Sequence, residues 1–133
     1  MKKIMACFLS LIVASVGFAT TIVFDNKTTF PLKDQKSRIA VQWATTAKEM
    51  QKENKALIYG LKLNSDSLQI ISQTGKSELD LPKNASHFRI LVWSKGVGEP
   101  DLLTNWVSVV PNKTYTLEKD QLVPAALMSG VGC

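Results

Sequence analysis

Hydrophobic and polar residues alternate with a period of two along most of the chain, the spacing expected of strands that bury one face. Ile39, Val41 and Trp43 alternate with smaller or polar residues, and Tyr115 and Leu117 alternate with polar ones. Each of these runs predicts a half-buried strand. Comparable patterns predict further strands at residues 21–24, 57–63, 68–71, 79–81, 88–93 and 106–110.

Two segments depart from simple alternation. In residues 88–93 both alternating sets are largely apolar, which predicts a central strand covered on both faces. Residues 45–55 carry Ala47 and Met50 among mostly charged and polar neighbours. This segment is either a short surface helix or a charged connection between strands.

Turn-forming residues separate the predicted strands at intervals of about 8–12 residues, the spacing typical of all-β sandwiches and barrels. We therefore expect an all-β fold: an antiparallel β-sandwich, immunoglobulin-like or a related Greek key. It should have about seven to eight short strands and at most one short helix. The cysteine–tryptophan–cysteine pattern of antibody domains is absent, so the likeness concerns architecture and not function.

The first nineteen residues have the features of a secretory signal peptide. Lys2 and Lys3 precede an uncharged stretch at 4–18, and Gly17 and Ala19 supply the small residues of a cleavage site. The stretch is shorter than the roughly 20 residues that span a bilayer. We expect residues 1–19 to be cleaved; an uncleaved N-terminal anchor is the alternative.

Removal of this leader leaves residues 20–133, enough for a single domain. The net charge falls from +5 to +3 with the loss of the two lysines. A charge this small excludes a strongly basic nucleic-acid binder and an acidic disordered chain. The paired lysines of a short leader are typical of bacteria, so we expect a periplasmic or outer-membrane-associated protein, with the extracellular medium as a further possibility.

The two cysteines are expected to have different fates. Cys7 lies in the middle of the apolar stretch, where it would be lost with the leader. Cys133 would then be the only cysteine of the mature chain and its last residue. An unpaired cysteine in an oxidising compartment indicates either a disulfide to another chain or an inert free thiol.

No combination of residues in the sequence indicates catalysis or a cofactor. His87 is the only histidine and has no evident partner for acid–base chemistry. Carboxylates occur two residues apart at three places, of which Glu99 and Asp101 are the best cation candidates, but two carboxylates fall short of a calcium site. We therefore expect no enzyme activity, no metal and no cofactor.

Tryptophans and an apolar tail are the remaining candidates for a binding site. Trp43, Trp93 and Trp106 lie in predicted strands, which favours core packing over an exposed stacking surface for sugars. Residues 122–133 carry no charge, so they either form a last strand or dock on another chain. Leu102 and Leu103 lie in a loop where solvated residues are expected.

The sequence therefore predicts an exported, non-catalytic protein that binds another envelope protein, as an accessory subunit of a cell-envelope or secretion assembly. We expect no nucleic-acid partner. We also expect no transmembrane segment once the leader has been cleaved. The predicted contacts are Leu102, Leu103, Leu127, Met128 and Cys133. The alternative is a soluble carbohydrate-binding or enzyme-inhibitor domain that uses loop tips or an exposed tryptophan.

Overall fold

A computed structural model describes residues 20–33 and 36–126 of the chain. The predicted leader lies outside this part, as do the predicted contacts Leu127, Met128 and Cys133. Both cysteines therefore fall outside it, and the described residues contain no disulfide. Among the helices of the described ranges, none is long and apolar enough to cross a membrane.

The described residues are mostly β-structure, with nine strands in two sheets, one α-helix and two isolated 3₁₀ turns. The strand number exceeds the predicted seven to eight because a strand of two residues has no readable alternation. In chain order the elements are β1 (Thr21–Asn26), β2 (Arg38–Ala44), α1 (Ala47–Ile58), a 3₁₀ turn (Ser65–Ser67), β3 (Leu68–Ile71), β4 (Gly75–Asp80), β5 (His87–Trp93), β6 (Leu102–Leu103), β7 (Val107–Ser108), β8 (Thr114–Leu117), a second 3₁₀ turn (Lys119–Gln121) and β9 (Val123–Pro124).

The strands form a small sheet in the order β4-β1-β8 and a large sheet in the order β3-β2-β5-β6-β9, with β7 also paired to β5. Every pair is antiparallel except β1 and β8, in which Val23 lies beside Thr114 and the strands run parallel. The prediction of a wholly antiparallel arrangement is wrong at this pair. No hairpin connects these two strands, so no tight turn imposes an antiparallel direction on them.

Strands β2 and β5 lie side by side in the large sheet and are buried on both faces. One face carries Val41 and Ile90, which share an apolar core with Phe24 of the small sheet. The opposite face carries Leu91, which packs with Leu57 of α1. The central position predicted for residues 88–93 is confirmed. The half-buried strand predicted at 39–44 is instead fully covered, because α1 occupies its second face.

Of the two alternatives for residues 45–55, the helix is the one that forms. Thr46 caps its start, accepting a hydrogen bond from the Glu49 N–H at 3.1 Å on its side-chain hydroxyl. The helix is not confined to the surface, because Glu53, Ala56 and Leu57 are buried against the large sheet. It therefore forms a third layer over one face of that sheet.

The strand predicted at residues 57–63 is wrong: this segment is the last helical turn and the loop that follows. Gly60 adopts a positive φ of 67°, and the Leu61 N–H donates to the Ala56 carbonyl at 2.8 Å. This is the glycine-dependent hydrogen-bond pattern that ends many helices. Leu57, Tyr59 and Leu61 alternate with other residues as a strand would, although Gly60 between them ends the helix.

Candidate functional site at the β6–β9 edge

Leu102 and Leu103, expected in a solvated loop, form strand β6 instead. Their backbones pair with Val92 and Leu91 of β5. Leu103 is fully buried in the core beneath α1, whereas Leu102 is only partly buried. The apolar character of Leu103 is thus accounted for by its own core, and Leu102 is the member of the pair that reaches the surface.

Strand β9 brings the beginning of the tail beside β6. Leu102 pairs with Pro124, and the Ala125 N–H donates to the Asp101 carbonyl at 2.8 Å. The chain then reaches Ala126, the last described residue, directly before the predicted contact Leu127. The structure therefore places Leu102 and Leu103 beside the described beginning of the uncharged segment, residues 122–126, at the edge of the large sheet.

An open groove of about 640 Å³ lies where these segments meet. Its walls come from the end of α1, the turn before β6, and the residues after β9. We call it the tail-base groove, defined by Ile58, Pro100, Leu102, Pro124, Ala125 and Ala126. Its lining combines these residues with the carboxylates of Glu99 and Asp101.

Asp101 stiffens one side of the tail-base groove. Its carboxylate accepts hydrogen bonds from the Ser94 backbone N–H at 2.8 Å and from the Ser94 hydroxyl. Partial burial acts to raise the pKa of Asp101, but the Ser94 hydrogen bonds and the charge of Lys95 outweigh it and hold the pKa below its ordinary value. The carboxylate is therefore ionised at neutral pH and ties the end of β5 to the start of β6.

Beneath α1 lies a buried polar cluster that was not predicted from the sequence. We call it the Arg89 cluster; its members are Gln42, Glu53, Asn54, Arg89 and Trp106. Arg89 donates from Nε to the Gln42 side-chain oxygen at 2.7 Å and from Nη1 to the Asn54 side-chain oxygen at 2.8 Å. Gln42 in turn donates to the Glu53 carboxylate at 2.8 Å. Strands β2 and β5 are thus bonded to the middle of α1 by side chains.

The charged side chain of Arg89 is fully buried. Burial lowers its pKa to about 10, and the nearby Glu53 carboxylate limits the fall. The guanidinium remains protonated at neutral pH and lies 4.4 Å from the ring centre of Trp106, a cation–π distance. These contacts hold α1 against the large sheet.

A sequence signal for the Arg89 cluster did exist. Arg89 shares its strand face with Leu91 and Trp93, and Gln42 shares its face with small apolar residues. A polar side chain on an otherwise apolar face needs buried partners. Only the register, which sets Gln42 directly opposite Arg89, shows that these two residues meet.

His87 contacts two hydroxyl groups. Its Nδ1 lies 2.9 Å from the Ser86 hydroxyl, and its Nε2 lies 3.5 Å from the Ser108 hydroxyl. Among the described residues its hydrogen-bonding side chains are serines, not the carboxylate that stabilises the imidazolium in a catalytic triad. The arrangement ties β5 to β7 at the start of the strand.

None of the three tryptophans is exposed. Trp43 and Trp93 are buried, and Trp106 is partly buried against Arg89. Core packing is therefore confirmed for Trp43 and Trp93, whereas Trp106 precedes β7 and covers the Arg89 guanidinium outside both apolar clusters. A sugar-stacking surface, as the alternative function requires, would have to come from loop tips instead.

Within the described ranges no group of three or more histidine, cysteine, aspartate or glutamate side chains could hold a metal ion. Glu99 is exposed and lies against Gly60, while Asp101 is bonded to Ser94, so the two carboxylates have separate surroundings. Searches against protein families and against curated proteins find no match for this chain. Its function is therefore argued from the geometry described above.

Proposed function

We propose that this protein is exported to the cell envelope and acts there without catalysis, by binding another protein as an accessory subunit of an envelope or secretion assembly. The observation that carries the proposal is the tail-base groove. It joins Leu102 to the residues that lead directly into the uncharged segment 127–133. A partner that covers the groove would cover the start of the tail as well.

We further infer that the two sheets form a β-sandwich of the immunoglobulin-like or Greek-key kind, with α1 on its outer face. One apolar core built from both sheets supports this inference: Ile22 and Phe24 come from the small sheet, and Val41 and Ile90 from the large one. Such a rigid body suits a subunit that presents a surface rather than encloses a substrate.

An apolar side chain exposed at the groove wall favours a protein as the occupant of the groove. Strand β9 is the last strand of that sheet and only two residues long, so backbone groups beyond it are not covered by a further strand in the described part. Ile58 is 37% exposed at the groove wall although it is a large apolar side chain. Because β9 is this short and contains Pro124, it offers little backbone for an added strand. The support for a protein occupant is therefore the exposed Ile58 side chain beside the start of the uncharged segment.

Site-specific photo-crosslinking in the native cell tests the proposal. A crosslinking amino acid at Ile58 or Leu127 should yield one discrete adduct with a second protein. The matched control is Val110, which is 49% exposed and outside the groove and should yield none. Equal patterns from all three positions, or no adduct from Ile58 and Leu127, would overturn the proposal.

The terminal cysteine can be tested in the same cells. If Cys133 forms a disulfide with the partner, the complex should separate on non-reducing gels only after reductant is added. Cys133→Ser should then remove the reductant-sensitive species while the Ile58 adduct persists. Loss of both would mean that the thiol, and not the groove, holds the partner.

A further inference from the structure

The three most exposed large apolar side chains of the described residues belong to two turns that contact each other. Val97 is 75% exposed, Tyr59 71% and Leu61 60%. The turn after α1 carries Tyr59 and Leu61, and the turn after β5 carries Val97. We call these three side chains the Tyr59–Val97 surface. They belong neither to the apolar cores nor to the lining of the tail-base groove.

The two turns are in contact. A shallow cavity of about 360 Å³ is lined by Gly60, Leu61 and Lys62 from the first turn and by Gly98 and Glu99 from the second. The turns therefore lie side by side: Leu61 lines the shared cavity, and Tyr59 and Val97 each adjoin a glycine that lines it.

The backbone holds Val97 outward. Gly96 and Gly98 flank it and both have positive φ angles, which side chains rarely tolerate. A side chain at position 96 would overlap the Lys36 carbonyl oxygen, and the Gly96 carbonyl accepts a hydrogen bond from Arg38 at 3.1 Å. The turn is thus pinned to the start of β2, and its tip is presented to solvent.

Positive charge surrounds the three tips. Lys62 follows Leu61 directly, and Lys95 precedes Gly96 in the other turn. Three more basic side chains lie on the adjoining backbone: Lys36 and Arg38 at the start of β2, and Lys55 in the last turns of α1. The neighbouring carboxylates are Glu99, which lies against Gly60, and Asp101, which is bonded to Ser94. Glu49 and Glu53 line the groove that Lys55 shares with Leu61, together with Lys48 and Lys52.

We propose that the Tyr59–Val97 surface docks on an anionic phospholipid bilayer, with the apolar tips entering the headgroup region and the basic side chains contacting lipid phosphates. Exposed apolar side chains on protruding turns, an aromatic residue among them and lysines behind them form the combination that binds at a membrane interface. The charge complementarity favours acidic lipids. This goes beyond the proposed protein binding and uses a surface that adjoins the tail-base groove at Pro100.

Vesicle co-sedimentation of the purified protein, in the form that the cell accumulates, tests the proposal without any protein partner. One vesicle set is phosphatidylcholine alone, and the other contains about a third phosphatidylglycerol. Binding to the acidic vesicles at low salt, weakened by added salt and absent from neutral vesicles, is the expected result. Absence of binding to both sets would overturn the proposal.

Two variants with a matched control locate the contact. L61S combined with V97S should lower binding to acidic vesicles about tenfold or more, because it removes the inserted tips. K62E combined with K95E should lower it by a similar factor at low salt and by less at high salt. I70S combined with V110S replaces exposed apolar residues elsewhere and should bind as the unmodified protein does.

Circular dichroism establishes that each variant is folded before its binding is compared. An equal loss in the control and in L61S/V97S would overturn the proposal. So would a protein adduct from a crosslinker at Val97 in cells, combined with no vesicle binding, because it would make this surface a protein interface. Neither outcome changes the expected adduct from Ile58, so the two proposals fail separately.

Discussion

The two faces of the large sheet are built from the same strands and both carry apolar clusters, but only the face toward α1 adds a buried network of hydrogen bonds. Toward the small sheet, β2 and β5 present Val41 and Ile90 in an apolar core. Toward α1, the same strands present Gln42 and Arg89, which are fully buried and hydrogen-bonded to the helix. Apolar contact is non-directional and tolerates small shifts, whereas hydrogen bonds fix a helix at one rotation and one height. The first face contributes apolar burial to the free energy of unfolding. The hydrogen bonds of the second face fix the position of α1 and of its exposed end.

The largest expected effect comes from removing the cation of the Arg89 cluster. Arg89→Met leaves the Gln42 side-chain oxygen without its donor and Glu53 without its charge partner. The Asn54 oxygen keeps only the hydrogen bond from the Trp106 indole N–H. Such a change should destabilise the fold by about 3–5 kcal/mol, measured by urea unfolding. Amide hydrogen exchange should rise most in α1, because its side-chain tether is lost.

A second substitution sharpens that test. Glu53→Gln keeps an oxygen that can accept from Gln42 and removes the unpaired charge. Adding it to Arg89→Met should recover part of the lost stability. If the double variant is less stable than Arg89→Met by the full cost of Glu53→Gln alone, the two charges do not interact and the cluster is a set of separate hydrogen bonds.

A smaller effect is expected on the apolar face one residue away. Ile90→Ala should cost about 2–5 kcal/mol through lost burial and the cavity it leaves. Hydrogen exchange in α1 should follow the global loss and show no local opening of its own. A selective rise in helix exchange, like that expected for Arg89→Met, would show that the two faces do not act independently.

The smallest effect on stability is expected at Asp101, which is exposed at the side of the tail-base groove and hydrogen-bonded to Ser94. Because its pKa is lower in the folded chain, its contribution is present above the ordinary aspartate pKa and is lost as pH falls through the lowered value. Asp101→Asn should therefore cost less than about 1 kcal/mol at neutral pH. Chemical unfolding between about pH 5 and pH 2 should show the variant and the unmodified protein converging. A gap that widens toward low pH would contradict this sign.

Alternation of apolar and polar residues is sufficient to predict the central strands, but it does not predict the strands of two residues. Residues 88–93 were recognised as two-sided because both alternating sets are apolar. Strand β6 has only two residues and exists through its pairing with Leu91 and Val92, which no local pattern records. The helix end was readable in principle, since Gly60 follows the last helical residues, but a leucine–tyrosine alternation concealed it.

The candidate site was predictable in its parts and not in its assembly. Leu102 and the uncharged tail stood out separately because each placed apolar residues where polar ones are expected. That they adjoin depends on the register of Leu102 with Pro124, a contact between segments distant in sequence. The Tyr59–Val97 surface was missed for the same reason, because its two turns come together only once the sheet and α1 are packed.

The parallel pairing of β1 with β8 has a consequence for the order in which the chain can fold. Strand β1 is the middle strand of the small sheet, and it leaves the ribosome well before its neighbour at Thr114. Until that late segment arrives, β1 exposes one unpaired edge, a site at which growing chains associate wrongly. A truncation anywhere before Thr114 should therefore yield aggregates rather than a smaller soluble fragment, and a chaperone that shields strand edges should act early on this chain.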